Sequence, residues 1–397
     1  MEFKITKKAK TVTTALLAGG GLLAVIGAIY EMNVHSEGFV QRLMANLLTN
    51  SFFFFAIGLG ALFFLALQYA TETGWYASVK RLIEALAGWL PWGIAMLALT
   101  LGLITVFKGA HIYLWMDPEV VAGDEIIRNK SAFLNVPFFW IRTLVYFGTY
   151  FIFWRGFKRR SLEEDKVGGT ELHFMNYKKS AMFLVCFAVF SSTSAWDWIM
   201  SIDVHWFSTL FGWYIFAGMW CTTMVCLVTL ALYLKKQGYL PNVNDSHIHD
   251  IAKWTFATSF LWSYLWFSQF MLIWYANFAE EATYFVTRIK DFKPLYFGMF
   301  IVNFAFPMLL MMSRDAKRSV NVIIFVGCLI FVGHWLDVFQ MIFIGSLGVK
   351  TSIGALEIGL FLVFVGMFVR VILTNLSKAP LTPVNHPFLD ESFHHEI

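Results

Sequence analysis

Long apolar runs broken by short polar clusters dominate the 397-residue chain. A helix needs about 20 mostly apolar residues to cross the hydrocarbon of a bilayer. Ten stretches meet that length: Thr11 to Tyr30, Leu47 to Ala70, Leu82 to Phe107, Val136 to Trp154, Ala181 to Ser201, Phe207 to Leu234, Ile251 to Tyr275, Leu295 to Met312, Val320 to Ile344 and Ile353 to Leu373. The pattern therefore predicts an all-α membrane protein of about ten transmembrane helices. Helices 2 to 5 and 6 to 9 are expected to form two four-helix bundles, flanked by helices 1 and 10. The division this implies is 1–45 for helix 1 and its outward loop, 46–205 and 206–346 for the two bundles, and 347–397 for helix 10 and a tail.

The case for two bundles is repetition. The loop after helix 3 reads IYLWMDPEVVAGDEIIRNKSAFLNVPFF and the loop after helix 7 reads IWYANFAEEATYFVTRIKDFKPLYF. Each runs from aromatics through acidic residues to an Arg and a Lys, then to a Pro at the start of the next helix, where its missing N–H costs nothing. The order continues into the last helix of each unit, which carries Trp196-Asp197 in helix 5 and Trp335-Leu336-Asp337 in helix 9. Counted from Ala181 and Val320, both aspartates lie about 16 to 17 residues along, or roughly 25 Å at 1.5 Å per residue. Both are expected in the outer third of the membrane.

Composition narrows the class. With 58% hydrophobic and 14% charged residues and a mean hydropathy of +0.63, the chain is not a soluble globular protein. The net charge of +4 comes with no basic tract interleaved with aromatics, which argues against nucleic acid as a partner. About 21 of the 30 Lys and Arg fall at the amino terminus, in the loops after helices 2, 4, 6 and 8, and in the tail, against about 8 in the alternate loops. The positive-inside rule then puts both termini in the cytoplasm. The first run follows Lys4, Lys7, Lys8 and Lys10 as a signal peptide would, but has no clear cleavage site and reads as a retained helix. Cys186, Cys221, Cys226 and Cys328 lie in apolar runs without C-x-x-C spacing, so no iron-sulfur or zinc site held by this chain is expected. Of ten His, only His334 is clearly inside a helix, with His111 at an edge; two facing axial ligands for a b-type haem are therefore not expected. A redox role would have to be shared with a partner.

Candidate chemistry centres on Ser191 to Gly218, where Asp197, Asp203 and His205 are crowded by Trp196, Trp198, Trp206 and Trp213. A carboxylate at the bilayer centre costs roughly 2.5 to 3.5 kcal/mol on insertion scales, so Asp197 should face protein or water. It is either a protonatable group in a quinone or proton path, or a helix cap or quiet partner of an Arg. Arg142, about five residues into helix 4, needs an anion; Asp197 is preferred, with Glu119 and Asp124 within reach from the loop. His111 at the outer mouth could join them at a quinone. His334 and Asp337, three apart, share a helix face and suit a proton relay or a lock between helices. At the cytoplasmic side Gln68, Glu72, Arg81 and Glu84 would form a water-filled inlet or simply snorkel to headgroups, with Pro91 kinking helix 3. Lys253, Gln269, Asn277, Glu280, Glu281 and Asn303 make a sparser trail, Pro307 is expected to break helix 8, and Glu357 stands isolated in helix 10.

Four stretches carry a resemblance: STSAWDWIMSIDVHWFSTLFG, LNVPFFWIR, WYASVKRLIE and the tail PVNHPFLDESFHH. They resemble the NrfD/PsrC-like membrane subunits of bacterial alternative complex III, the quinol:cytochrome c oxidoreductase, over nearly the whole chain. The helix 5 motif is specific to those proteins, and the shorter chain and the tail are closest to the second such subunit. The resemblance implies a bacterial inner-membrane subunit, not catalytic alone, that supports quinol oxidation and proton translocation. It would sit beside an iron-sulfur subunit, multihaem cytochrome c subunits and a paralogous NrfD-like subunit, with a terminal cytochrome oxidase as a further candidate partner. Quinone or menaquinone would be the only cofactor near this chain, at His111, Arg142 and Asp197, while haem c and clusters belong to the partners. The Asp of the WDWIM motif carries over to Asp197; His334 and Asp337 are assigned from spacing alone. The alternatives are a purely structural anchor for the redox subunits and a solitary transporter.

Overall fold

A computed structural model describes residues 3–396, apart from the side chain of Lys108. The described chain is helical throughout, with α1 (Lys7–Val34), α2 (Phe39–Ala70), α3 (Lys80–Ala87), α4 (Leu90–Val106), the short α5 (Pro118–Gly123) and α6 (Glu125–Asn129), α7 (Val136–Val167), α8 (Glu171–Trp198), α9 (Phe211–Lys236), α10 (Asp245–Ala276), α11 (Ala279–Asp291), α12 (Lys293–Phe300), α13 (Phe306–Leu310), α14 (Val320–Leu347), α15 (Ala355–Leu376) and α16 (Leu389–Phe393). Among the described residues, nine helical stretches are long and apolar enough to cross a membrane. The tenth expected span lies in α10, which has 32 residues; its Trp, Tyr, Ser and Gln lower its hydropathy without shortening it. Large apolar side chains such as Leu22, Leu144, Ile152 and Val185 point outward from α1, α7 and α8, each more than 60% exposed. A surface of that kind is at home against lipid tails and not against water.

The two expected bundles are present as closed rings of neighbouring helices: α2, α4, α7 and α8, then α9, α10, the α12–α13 pair and α14. They are not independent, because α2 also packs on α9 and α14, and α8 on α9. The reason is visible in α2: NSFFFFAIGLGALFFLAL is apolar on every side, a helix that must be surrounded, and 94% of its most apolar window is buried. Helices α1 and α15 do not flank opposite sides. They pair with each other across small residues, so close that a Cβ on Gly27 would lie 2.2 Å from the Leu356 nitrogen and one on Gly359 2.3 Å from that of Ala24. Backbone contact through small residues is how helices gain packing where lipid offers no hydrophobic drive.

The prolines act differently from a simple kink. The third span breaks at Gly88-Trp89, and Pro91 sits in the first turn of α4, where it has no bond to lose. The eighth span is interrupted by a π-turn at Ile301–Ala305, and Pro307 opens α13 beyond it. Both repeat prolines, in α7 and α12, occupy first turns as the loop pattern implies. Finally, the tail folds back: Ser392 Oγ accepts the Ser78 amide at 3.1 Å, and His395 meets Asp250 at 2.7 Å, so one tail closes the same end of both bundles. That end carries the Arg155–Arg160 basic run and is the basic end of the molecule.

Candidate functional site

At the opposite end, Arg142 and Asp197 are joined. The Arg142 Nε donates to Asp197 Oδ2 at 2.8 Å and Nη2 to Oδ1 at 2.7 Å. One turn further along α7, the Tyr146 hydroxyl donates to the same carboxylate at 3.0 Å. The guanidinium also donates to the Phe133 carbonyl at 3.0 Å, and its carbon lies 3.9 and 4.3 Å from the Phe133 and Phe138 ring centres. Asp197 is 0% exposed, with a two-pronged cation on both oxygens, the strongest geometry an ion pair has. Asp124 and Glu119 are not partners of Arg142: Asp124 accepts from His205 at 2.6 Å instead, a bond that holds its carboxyl below the usual range. His111 does not join the cluster either. It lies on a left-handed backbone (φ 41°) with its ring half-exposed and 3.7 Å from Asp117, while its neighbours Ala110 and Ile112 are the buried ones.

Asp337 is held by neutral donors. Trp262 Nε1 donates at 3.0 Å and Gln340 Nε2 at 3.2 Å, with the Tyr214 hydroxyl as third partner. His334 shares its face of α14 but is not bonded to it. Its Nε2 has no partner among the described residues, and the Trp262 indole stands edge-on at 5.3 Å. A cavity of about 30 Å³ lies beside His334 and Asp337, bordered also by Tyr214 and Thr222 and otherwise mainly by apolar side chains such as Phe52, Phe53 and Met341. That is room for water, and tenfold less than the roughly 300 Å³ at which small-ligand pockets begin.

The heights of the two carboxylates can be compared through Ile202 and Gly345, which touch: a Cβ on Gly345 would lie 3.1 Å from Ile202. Asp337 lies eight residues before Gly345 and Asp197 five before Ile202, or ~12 Å and ~8 Å at the helical rise. The carboxylates are thus level to about one helical turn. The count from the amino-terminal ends does not set this, since α8 starts at Glu171, ten residues before Ala181.

The remaining outward residues tie the two halves together. Asp203 reaches Arg288 of α11 at 3.7 Å, and Arg288 lies 3.3 Å over the Tyr284 ring, itself stacked on Trp206 at 3.9 Å. Asp203 therefore engages the loop of the second bundle and His205 that of the first. Glu357 is not isolated: fully buried, it takes Arg42 at 2.8 Å and caps the Gly354 amide at 2.7 Å, while Arg42 also meets Glu31 at 3.3 Å. Asn303, in the π-turn, is fully buried with both amide atoms unpaired. Glu280 and Glu281 lie in the exposed first turn of α11, and Lys253 pairs with Asp250 at 2.5 Å.

A third cluster, at the basic end, contains residues that sequence reasoning did not single out. Lys80 donates to Glu164 at 2.7 Å, and both are 0% exposed. His173 and His386 close around that carboxylate, with Tyr76 at 3.4 Å from His386 Nε2. Beside them Arg81 bonds Glu84 at 2.5 Å and Asp165, and Ser161 bonds Glu84 at 2.5 Å. Of the expected inlet, Arg81 and Glu84 are in place, Gln68 is held by Thr73, and Glu72 is exposed on a turn. Glu164, His173 and His386 bring potential ligand atoms within 4.8 Å of one another. A divalent ion there would set two further charges beside Lys80 with one carboxylate to offset them, so the donor set suits a proton better than a metal. Lys80 and Glu164 carried no distinguishing sign in the sequence, where they read as ordinary topology charges.

Burial, with the Lys80 ammonium next, pushes His386 from 6.5 down to about 2. Because the folded value is the lower one, the folded chain resists the proton that the unfolded chain accepts. Stability present above pH 6.5 is therefore expected to be lost as pH falls from there toward 2. His386→Gln should flatten that slope in melting temperatures measured from pH 7.5 to 4.5; parallel curves for the two proteins would refute it.

A comparison of the chain with protein-family models returns no match, and a comparison with curated proteins returns none either. Fold and sites together define a multi-pass helical membrane protein with sheltered carboxylates in two adjoining bundles.

Proposed function

We propose that this chain is a membrane subunit of a bacterial quinol:cytochrome c oxidoreductase of the alternative complex III type, most like its ActF subunit. It sits in the inner membrane with both termini cytoplasmic and moves protons while partner subunits carry electrons. The observation that carries the reading is Asp337: a carboxylate buried at membrane depth, held by three neutral donors, and bordering a water-sized cavity with an unpartnered imidazole nitrogen of His334. A carboxylate clasped by guanidinium, as Asp197 is, serves better as a fixed joint. Asp337 therefore takes the proton-carrying role, His334 and a water in the cavity pass the proton, and Arg142–Asp197 holds the first bundle in shape. Lys80 and Glu164 form the proton-holding group at the basic end. His111 stands apart from the Arg142–Asp197 pair expected beside a quinone, and the cavity beside Asp337 is too small for a quinone ring; quinol oxidation then falls to the paralogous subunit, with the iron-sulfur and multihaem cytochrome c subunits at the outer face.

In the intact complex reconstituted in vesicles, Asp337→Asn should slow proton transfer roughly 100-fold or more, as removal of a positioned acid or base does, and lower the protons moved per electron. Normal proton yield and turnover in a fully assembled Asp337→Asn complex would overturn the reading. The buried ion pairs and the tail that closes both bundles favour a second reading, a scaffold for the redox subunits. On that reading the same substitution changes assembly alone.

A further inference from the structure

A second cavity, of about 380 Å³, lies along the α7–α8 hairpin near the basic end. Phe151 and Ile152 line it on one side and Arg155, Arg159, Arg160 and Lys179 on the other. We propose that this groove binds the phosphodiester headgroup of an anionic membrane phospholipid. The proposal needs only that the chain sits in a membrane, and stands apart from the reading of its function.

Three observations carry it. The four cations have no carboxylate partner among the described residues. Arg155 and Arg159 are one turn apart on the same helix face, where like charges repel. Of the buried cations elsewhere, Arg42, Lys80, Arg81 and Arg142 each hold a carboxylate and Lys317 donates to the Met312 and Ser313 carbonyls, whereas in the groove Arg155, Arg159 and Lys179 are exposed and Arg160 is buried. Arg160 is the sharpest case. It is 8% exposed, yet its one side-chain hydrogen bond is from Nε to the Asn176 amide oxygen at 2.6 Å. Its guanidinium turns back over Gly156, where a Cβ would lie 3.1 Å from Nη1, and both residues line the groove.

The groove also straddles the right boundary. Phe151 and Ile152, 37% and 68% exposed, belong to the last turn of the apolar stretch of α7, which closes at Trp154, and the cations begin at Arg155. A lipid lying along α7 would set its acyl chains on the first pair and its phosphate among the second. The volume fits a headgroup, being within the range of about 300 to 1,000 Å³ of ligand sites. Basic pockets between membrane helices are the usual recognition for such lipids.

The test is native mass spectrometry of the delipidated full chain, titrated with dioleoyl phosphatidylglycerol or dioleoyl phosphatidylcholine, with inorganic phosphate as a competitor. Phosphatidylglycerol should bind in preference to phosphatidylcholine. Each cation near the surface contributes about 1 kcal/mol, a factor of about five, so the Arg155→Gln, Arg159→Gln, Lys179→Gln triple variant should bind roughly 100-fold more weakly. Gly156→Leu, which fills the groove and leaves its charge unchanged, should lose the lipid as well and serves if the triple variant does not fold. Equal affinity for the two lipids, undiminished binding by the folded variants, or displacement by inorganic phosphate at the lipid's own concentration would each overturn the proposal.

Discussion

Arg142→Ala is expected to destabilise the folded chain by about 3 to 5 kcal/mol, the cost of leaving a buried charge without its partner. Asp197 is 0% exposed and receives two of its three side-chain hydrogen bonds from that guanidinium. With the arginine gone, Tyr146 alone remains to hold a carboxylate that neither lipid nor the Phe133 and Phe138 rings can solvate. Replacing both members, Arg142→Leu with Asp197→Leu, should recover most of the loss, since a buried pair and apolar residues of similar volume are often close in stability. Reversible unfolding in mixed micelles measures both variants and the cycle that links them. Additive losses would mean that the two side chains do not depend on each other, contrary to their geometry.

Lys80→Met should cost a similar ~3 to 5 kcal/mol, because Lys80 and Glu164 are each 0% exposed and bonded at 2.7 Å. Its effect should reach further than that of Arg142→Ala. Glu164 stands beside His173 and His386, and His386 belongs to the tail that closes both bundles. An uncompensated carboxylate there is expected to loosen the tail, read as faster labelling of a cysteine introduced at Ser392, which is fully buried in the docked tail. Glu164→Gln separates the two proposed roles. Glu164→Gln leaves the buried Lys80 without its carboxylate and should cost stability on either reading; only a proton-holding Glu164 also lowers the proton yield of the variant complex that still assembles.

Much of the fold was legible because membrane helices announce themselves: length and apolarity are properties of contiguous residues. The loop prolines were readable for a similar reason, since a first-turn proline follows from local backbone chemistry. Asp197 and Asp337 were found because a carboxylate in an apolar run is conspicuous. What those two residues touch was only half legible. Arg142 was matched to Asp197 from depth, but the neutral clasp of Asp337 draws Tyr214 and Trp262 from α9 and α10, residues far along the chain with nothing to mark them among 14 Tyr and 16 Trp. Glu357 looked solitary in helix 10 because its partner Arg42 lies 315 residues away. Lys80 and Glu164 looked like two more loop charges.

The order of hydrophobic and polar residues alone determined that the protein is helical and has many helices long and apolar enough to cross a membrane, since both depend on periodicity and on transfer energies summed over neighbours in sequence. Tertiary structure alone decided that α2 is the shared core of both bundles, that α1 joins α15, and that one acidic residue meets a guanidinium while its counterpart meets neutral donors and a water-sized void. The physical reason is that desolvation and hydrogen bonding depend on which groups lie within a few ångströms, and in a bundle those groups come from helices hundreds of residues apart.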